Sequence, residues 1–342
     1  MNVGEQHAES VWVMGAGSVG CLVGGRLAAA GARVHFIGRP RVVEVRRTEG
    51  LTLSDVEGPT LHVAPDALDA SELPPDGAAP GLVLLAVKSA GTEAAAAQLA
   101  CVLPAGTPVL SLQNGVDNAA RAQSAAPQLR VVPGMVPFNV AELAPGHLHR
   151  GTQGVLAAQH DVALTPWLPL FARAGLPLAL HADLAPVQWG KLLLNLNNPV
   201  NALSRLPLRA ELMQRDWRRC FAALMDEALG VLRAAGMEPA RVAPVPPRWL
   251  PTLLRLPDAL FTRVAARMLR IDEKARSSMA DDVALGRRTE IDALCGEVVR
   301  LARAHGLAAP RNARMLQLLD GRWPEGPPVM TAGELWSALK RA

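Results

Sequence analysis

Tyrosine is missing from this chain altogether, and phenylalanine occurs only five times in 342 residues. The net charge is +4 and the isoelectric point is near 9.2. A nucleic-acid surface interleaves such basic excess with aromatic rings, so no nucleic-acid partner is expected; an anionic small molecule accounts for the charge more simply. Cysteine is scarce too. Cys21, Cys101, Cys220 and Cys295 stand far apart with no CxxC or CxxH pairing, which reads as reduced, mostly buried thiols in a cytoplasmic protein. Among the histidines only His147 and His149 lie close together. Strand alternation puts both on one face, but no third ligand accompanies them and no metal site is expected. No apolar run reaches the roughly 18 residues of a membrane span. Met1 to Ser10 lacks the basic start of a signal peptide, so neither a membrane nor an export signal is expected. Long polar tracts are absent as well. Half the residues are hydrophobic and 19% are charged, enough apolar material for two cores, and the length favours two domains.

What is present begins with the apolar run Val11-Trp12-Val13-Met14 and, directly after it, Gly15-Ala16-Gly17-Ser18-Val19-Gly20. A helical pattern from Cys21 to Ala30 follows, closed by Gly31. Strand, GxGxxG and helix in that order make a dinucleotide-binding unit. The glycines permit a tight turn and let the backbone approach a pyrophosphate at the helix N-terminus. The second strand, Arg33 to Ile37, ends in Gly38-Arg39. An NAD site carries an acid there for the ribose hydroxyl. Here Arg39 stands instead, with Arg41 behind it, and a guanidinium suits a 2′-phosphate. NADP(H) is therefore the expected cofactor.

Further along, Leu51-Thr52-Leu53 and Thr60 to Val63 suggest edge strands or a hairpin around Glu57-Gly58. Pro65 to Pro80 reads as loop with a short helix near Leu68. Leu82 to Val87 is a continuous apolar run, as a central parallel strand should be, and it delivers Lys88-Ser89 at its carboxyl end. A helix over Thr92 to Leu103 leads to the strand Pro108 to Leu112 and then Gln113-Asn114-Gly115. Further strands are expected over Arg130 to Val136, His149 to Ala157 and Leu176 to His181. Three strand ends thus present the glycine turn, Lys88 and Asn114 to one crevice, where doubly wound sheets bind ligands.

From Asp183 the pattern becomes helix after helix. The expected organisation is an α/β Rossmann-type doubly wound domain over 1–182 followed by an all-α domain over 183–342. Val187 to Pro199 forms an apolar helix with one polar stripe, because Lys191, Asn195 and Asn198 fall at i, i+4 and i+7. A lysine and two amides amid leucines are costly without partners, which suggests either a kinked structural helix or a site. Arg218 to Ala235, stopped by Gly236, and Ala259 to Leu269 are further helices. The proline-rich stretch between them, Pro239 to Pro257, is read equally as a lid, a dimer contact or a packed loop. Gly286 ends a helix that contains Ser277-Ser278-Met279. Thr289 with Asp292 predicts a capping box at the start of the next helix, which runs to His305 and stops at Gly306. Thr331 with Glu334 predicts a capped tail helix.

Taken in order, these motifs resemble the ketopantoate reductase (2-dehydropantoate 2-reductase) family. The likeness covers about Val11 to Leu319. It rests on the Gly15 to Gly20 fingerprint, Val87-Lys88-Ser89, Asn114-Gly115, Trp189-Gly190-Lys191-Leu192, Ser277-Ser278-Met279 and Thr289-Glu290-Ile291-Asp292. The resemblance implies NADPH-dependent reduction of 2-dehydropantoate to (R)-pantoate in pantothenate and coenzyme A synthesis. It implies Lys191 as the catalytic residue that polarises the carbonyl and supplies the proton, and Glu290 as the catalytic glutamate that orients substrate or lysine. Asn114 lies near nicotinamide and substrate on this reading, with Ser278 and Asn195 as substrate-binding positions and Arg39 and Lys88 as contacts of the 2′-phosphate. The family commonly has another asparagine four residues after the one matching Asn195. Position 199 here is proline, so Asn198, which shares the face of Lys191, is the substitute, although Pro199 disfavours helical geometry at Asn198. The expected partner is a small 2-keto acid, and a homodimer is compatible with the sequence. Reduction of another branched 2-keto acid and a catalytically silent NADP(H)-binding regulator are the alternatives.

Overall fold

Every residue of Val11 to Met14 is buried, and alternate side chains enter different cores. Val11 and Val13 join one cluster while Trp12 and Met14 join another. Leu82 and Leu84 part from Val83 and Leu85 in the same way. A strand covered on both faces produces this division. The structure, a computed structural model, describes residues 9–56, 58–77, 79–242, 244–266, 275–320 and 329–342. The chain divides into two compact units, Met1–Leu184 and Ala185–Ala342.

In chain order the first unit contains β1 (Ser10–Met14), α1 (Ser18–Ala29), β2 (Arg33–Ile37), α2 (Pro40–Thr48), β3 (Leu51–Asp55), β4 (Leu61–Val63) and β5 (Asp69–Ser71). It continues with β6 (Leu82–Leu85), α3 (Thr92–Val102), β7 (Pro108–Ser111), α4 (Asn118–Ala125), β8 (Arg130–Met135), β9 (Val140–Ala144), β10 (His147–Arg150), β11 (Leu156–Gln159), α5 (Leu168–Arg173) and β12 (Leu178–His181). Eight strands form the main sheet in the order β12-β11-β8-β7-β6-β1-β2-β5. All its pairings are parallel except β8 with β11. Apolar side chains pack on both faces, so the α/β reading holds.

A second sheet, β4-β3-β10-β9, was not foreseen as such. The chain leaves the main sheet twice to build it, once after β2 and once after β8. The hairpin of β3 and β4 forms as expected, but in this sheet. The single strand expected over His149 to Ala157 is in fact two. β10 pairs with β3 and β9, whereas β11 belongs to the main sheet. Between them Gly151 to Gly154 interrupts, and Gly154 adopts φ +159°. His147 and His149 do share a face, and each lies 2.9 Å from the Ser54 hydroxyl.

Helix α1 is wedged between the two sheets, and its paired glycines make that possible. A Cβ on Gly24 would meet the Phe36 ring and Val13 at 2.7 Å, on the main sheet. A Cβ on Gly25 would meet Leu51 at 2.8 Å, on the second. Helical glycine costs about 1 kcal/mol relative to alanine, a cost offset here by the close packing it permits. Asp55 then ties the layers together, accepting from Arg26 at 2.8 Å and from Arg150 Nε at 2.6 Å.

The described part of the second unit is helical: α6 (Ala185–Asn195), α7 (Asn197–Ser204), α8 (Leu208–Leu212), α9 (Arg215–Ala234), α10 (Leu250–Leu254), α11 (Asp258–Val264), α12 (Ser278–Ala284), α13 (Glu297–Ala304), α14 (Pro310–Leu319) and α15 (Ala332–Lys340). Its apolar centre is α9, with eleven of its residues buried. The carboxylate of Glu227 on α9 accepts the Arg311 and Asn312 amides at 3.0 and 2.8 Å, capping α14 from outside. Arg218, with no exposed surface, donates to the carbonyls of Leu212, Leu254 and Leu256 at 2.7 to 3.0 Å and lies over the Phe261 ring. That one side chain anchors the proline-rich stretch, whose Leu250, Leu253 and Leu254 are buried. Of the three readings of that stretch, packing is the one visible in its contacts. Residues 267–269 of the helix expected over Ala259 to Leu269 lie outside the described residues.

Two helix starts and stops near the end were legible and one was not. Gly286 ends α12 in a Schellman turn, with Arg287 N–H donating to Asp282 O at 2.8 Å and Gly286 N–H to Val283 O at 3.1 Å. Thr331 and Glu334 form the expected capping box. The Thr289–Asp292 box does not form. Thr289 donates to Leu319 O, and Asp292–Gly296 makes a π-helical turn before α13 begins.

Candidate functional site

The three fingerprint glycines have three different surroundings. Gly15 has φ +108°, and a Cβ there would stand 2.4 Å from Val87 N. Gly20 packs so tightly that its Cβ would meet Gly15 O at 2.3 Å. Gly17 is the opposite case, with no heavy atom within 4 Å of an added Cβ. It also caps α1 without a side-chain hydrogen bond. A tight turn, a close helix–strand approach and an open backbone at a helix N-terminus are what a pyrophosphate requires. The residues present therefore fit a dinucleotide.

Around this turn the neighbouring strand ends supply the other expected groups. β1 lies between β2 and β6, and β7 follows β6. Arg39, at the start of α2 after β2, is exposed, and its side chain makes no hydrogen bond or ion pair among the described residues. Lys88, also exposed, begins a single 3₁₀ turn, Ser89–Gly91. Asn114 follows β7 and is half-buried, and Gly115 beside it has φ +92°.

A buried uncharged network that the sequence did not announce holds Lys88 and Asn114 in place. Gln113 donates to Val87 O at 2.9 Å and to Thr92 Oγ1 at 2.7 Å, and accepts from Ser111. The Thr92 hydroxyl is 3.0 Å from both Ser89 O and Asn118 Oδ1, which share its single proton. Asn118 donates to Ser89 Oγ at 3.1 Å and to Asn114 O. Arg121 closes the ring from outside, reaching Ser89 O at 3.0 Å while paired with Glu93. Adjacency was the only signal available: Gln113 precedes Asn114, and Ser89 follows Lys88.

In the second unit Lys191 and Asn195 lie four residues apart on α6. Gly190 lets the backbone at Ala240 lie against this helix, since a Cβ would meet Ala240 O at 2.4 Å, and Ala240 N–H donates to Pro186 O. Burial pushes the Lys191 ammonium down to about 8, and the Glu290 carboxylate works against that shift. The expected pair of Lys191 and Glu290 is thus electrostatically coupled.

Asn198 does not share a continuous helix with them. α6 stops at Asn195 and α7 starts at Asn197. Pro199 has no N–H for the Asn195 carbonyl, and its ring crowds that carbonyl. Asn198 is instead fastened to the other expected region, because its carbonyl accepts from Ser277 Oγ at 3.2 Å. Ser277 caps α12, whose first residue is the exposed Ser278. Lys191 with Asn195 and Asn198 with Ser278 therefore form two groupings rather than one stripe.

The family described as ketopantoate reductase PanE/ApbA matches residues 11–160, and its C-terminal part matches residues 183–322. The chain belongs to the ketopantoate reductase family. A 2-dehydropantoate 2-reductase of Halobacterium salinarum is 30% identical over 88% of this chain and 94% of its own length. The crystal structure of a PanE/ApbA family ketopantoate reductase from Ralstonia eutropha is 31% identical, covers 91% of this chain and 97% of its own, and superposes with a TM-score of 0.76. A D-mandelate dehydrogenase solved with NADH and anilino(oxo)acetate has a TM-score of 0.72 over 97% of this chain and 99% of its own, at 17% identity. That last likeness is one of fold alone.

Among the described residues no helix is long and apolar enough to cross a membrane. Nor do any three His, Cys, Asp or Glu side chains gather as metal ligands there.

Proposed function

We propose that this chain reduces 2-dehydropantoate to (R)-pantoate with NADPH, as a step of pantothenate and coenzyme A synthesis. The observation that carries the proposal is Lys191, an ammonium lowered to about 8 by burial and restrained by Glu290, in a chain of this family. Ketone reduction builds negative charge on the carbonyl oxygen, and a positioned ammonium stabilises that charge and then gives up its proton. With its pKa near physiological pH, Lys191 is charged often enough to act and acidic enough to release the proton. Glu290 keeps it from losing that charge too early, while Asn195, Asn198 and Ser278 orient the 2-keto acid.

Gly15 to Gly20 would hold the pyrophosphate of the cofactor, Asn114 its nicotinamide end, and Arg39 with Lys88 its 2′-phosphate. When bound there, the nicotinamide supplies the hydride. The division of labour follows, with 1–182 for the cofactor and 183–342 for the substrate. Replacing Arg39 with alanine should cost NADPH affinity roughly tenfold, the scale of one charge-assisted contact, and leave NADH affinity nearly unchanged. Equal losses for the two cofactors would remove Arg39 from this role.

A second reading, reduction of a different branched 2-keto acid, is favoured by one observation: Asn198 sits on α7, beyond the break between Asn195 and Asn197. The deciding experiment follows NADPH oxidation by the purified protein with 2-dehydropantoate against other branched 2-keto acids. The highest kcat/KM belongs to 2-dehydropantoate if the first reading is right. A higher value for another acid supports the second.

A further inference from the structure

Glu211, on α8, has no exposed surface and, among the described residues, no cation against it. Its partners are two amides. Asn201 Nδ2 donates to its Oε2 at 2.8 Å and also to Leu206 O at 3.0 Å. Asn197 Nδ2 reaches the same Oε2 at 3.4 Å. The orientation of the Asn201 amide is fixed independently, because its Oδ1 accepts the Ser277 backbone N–H at 2.9 Å and a backbone amide can only donate. Oε2 is therefore an acceptor. Two buried atoms at this contact then lack partners, Glu211 Oε1 and Asn197 Oδ1, both of them acceptors if the carboxyl is ionised. A buried carboxylate with no countercharge and an orphaned oxygen is strongly disfavoured. One proton on Oε1 removes the charge and turns that oxygen from an orphaned acceptor into a donor.

We propose that Glu211 carries this proton at neutral pH and is a positioning residue, holding Asn198 and Ser278 in register for the 2-keto acid. The route is short. Glu211 fixes Asn201, Asn201 fixes the Ser277 amide, and the Ser277 hydroxyl binds Asn198 O while capping the helix that starts with Ser278. α8 grips the same segment a second time, since Leu208 N–H donates to Ala275 O at 2.8 Å. Burial also pushes the Glu211 carboxyl up to about 8, against the two amide hydrogen bonds, which agrees with the arrangement. The role of Glu211 rests on the reading that Asn198 and Ser278 meet the substrate; its protonation does not.

The two parts are tested separately. Glutamine reproduces a neutral acid, with one acceptor and one donor, so Glu211→Gln should keep the KM for 2-dehydropantoate within about threefold. Glu211→Ala should raise it tenfold or more, with a smaller change in kcat and none in NADPH affinity. Should the alanine variant not fold, Ser277→Ala cuts the same route further on and should raise KM while leaving Glu211 intact. An infrared carbonyl band of a protonated carboxyl at pH 7, present in the wild type and lost in Glu211→Gln, reads the proton directly. A glutamine variant as impaired as the alanine variant, or an absent band, would overturn the neutral acid. An unchanged KM in folded Glu211→Ala or in Ser277→Ala would overturn the positioning role. If the wild type reduces no 2-keto acid, the reductase reading falls, while the infrared band still decides the state of Glu211.

Discussion

The two units fasten their functional segments with buried polar networks of opposite character. In the first, Gln113, Thr92, Asn118 and Ser89 are all uncharged, and every amide in the ring finds a partner. In the second, a carboxyl sits at the centre, and one of its own oxygens and the Asn197 amide oxygen have none. A neutral network of this kind is indifferent to pH and costs most when one member is removed. One built on a carboxyl depends on a single proton. On the proposed function, the cofactor-binding segments of the first unit are set rigidly and the substrate-binding segments of the second conditionally.

The widest separation between the two ends is expected from Lys191→Ala. Turnover should fall by about 10²–10⁴-fold, the usual worth of a positioned acid, with NADPH affinity unchanged. Single-turnover kinetics and fluorescence titration of NADPH measure the two effects, and parallel losses would merge the functions kept apart here.

Next in size is a contrast inside the fingerprint. Gly15→Val places a Cβ against Val87 N in a left-handed conformation and should destabilise the chain by roughly 2–4 kcal/mol. At Gly17 an added Cβ has open space around it, so Gly17→Val should leave the melting temperature alone while abolishing NADPH binding. Equal melting losses for both would mean that Gly17 serves the fold and not the ligand.

A smaller effect comes from Thr92→Val, which leaves Gln113 and Asn118 without their shared hydroxyl and should cost about 1–3 kcal/mol in urea denaturation. Its damage to function should fall on NADPH affinity and spare the KM of the keto acid.

The subtlest test is pH. The folded value for Lys191, about 8, lies below the ordinary 10.5. Between those values the unfolded chain holds more protons than the folded one, so this residue makes stability rise with pH across the window. The cost of burying its charge is fully present below about 8. Reduction should run the other way, its rate falling as the ammonium is lost above about 8. Because Glu290 holds the value up, Glu290→Gln should move the alkaline limb of the rate profile to lower pH. A limb that stays in place would remove Glu290 from the pair.

Much of this was legible in local sequence. Val11 to Ile37 announces strand, turn, helix and strand, and the structure follows it almost residue for residue, because glycine turns and period-two burial are local rules. Lys88 and Asn114 were readable as strand-end residues for the same reason. The second sheet was hidden because β3 pairs with β10, far along the chain, and no local pattern encodes that partner. Helical spacing put Asn198 on the stripe of Lys191 while Pro199 spoke against it, and the structure sides with the proline by ending the helix at Asn195. The Thr289 box failed because its hydroxyl finds Leu319 instead. Glu211 gave no signal at all, lying in an ordinary Leu-Arg-Ala-Glu-Leu stretch whose surroundings only tertiary packing creates.

The wedging of α1 bears on how the first unit comes to be folded. The glycine turn is made before most of the strands that flank its helix, and that helix cannot settle until both surfaces around it exist. One of those surfaces is closed by Arg150, which reaches Asp55 across a sequence separation of 95 residues. Long-range closure of this kind slows folding and leaves apolar surface uncovered meanwhile. During synthesis the glycine fingerprint therefore goes without this support until Arg150 has been made.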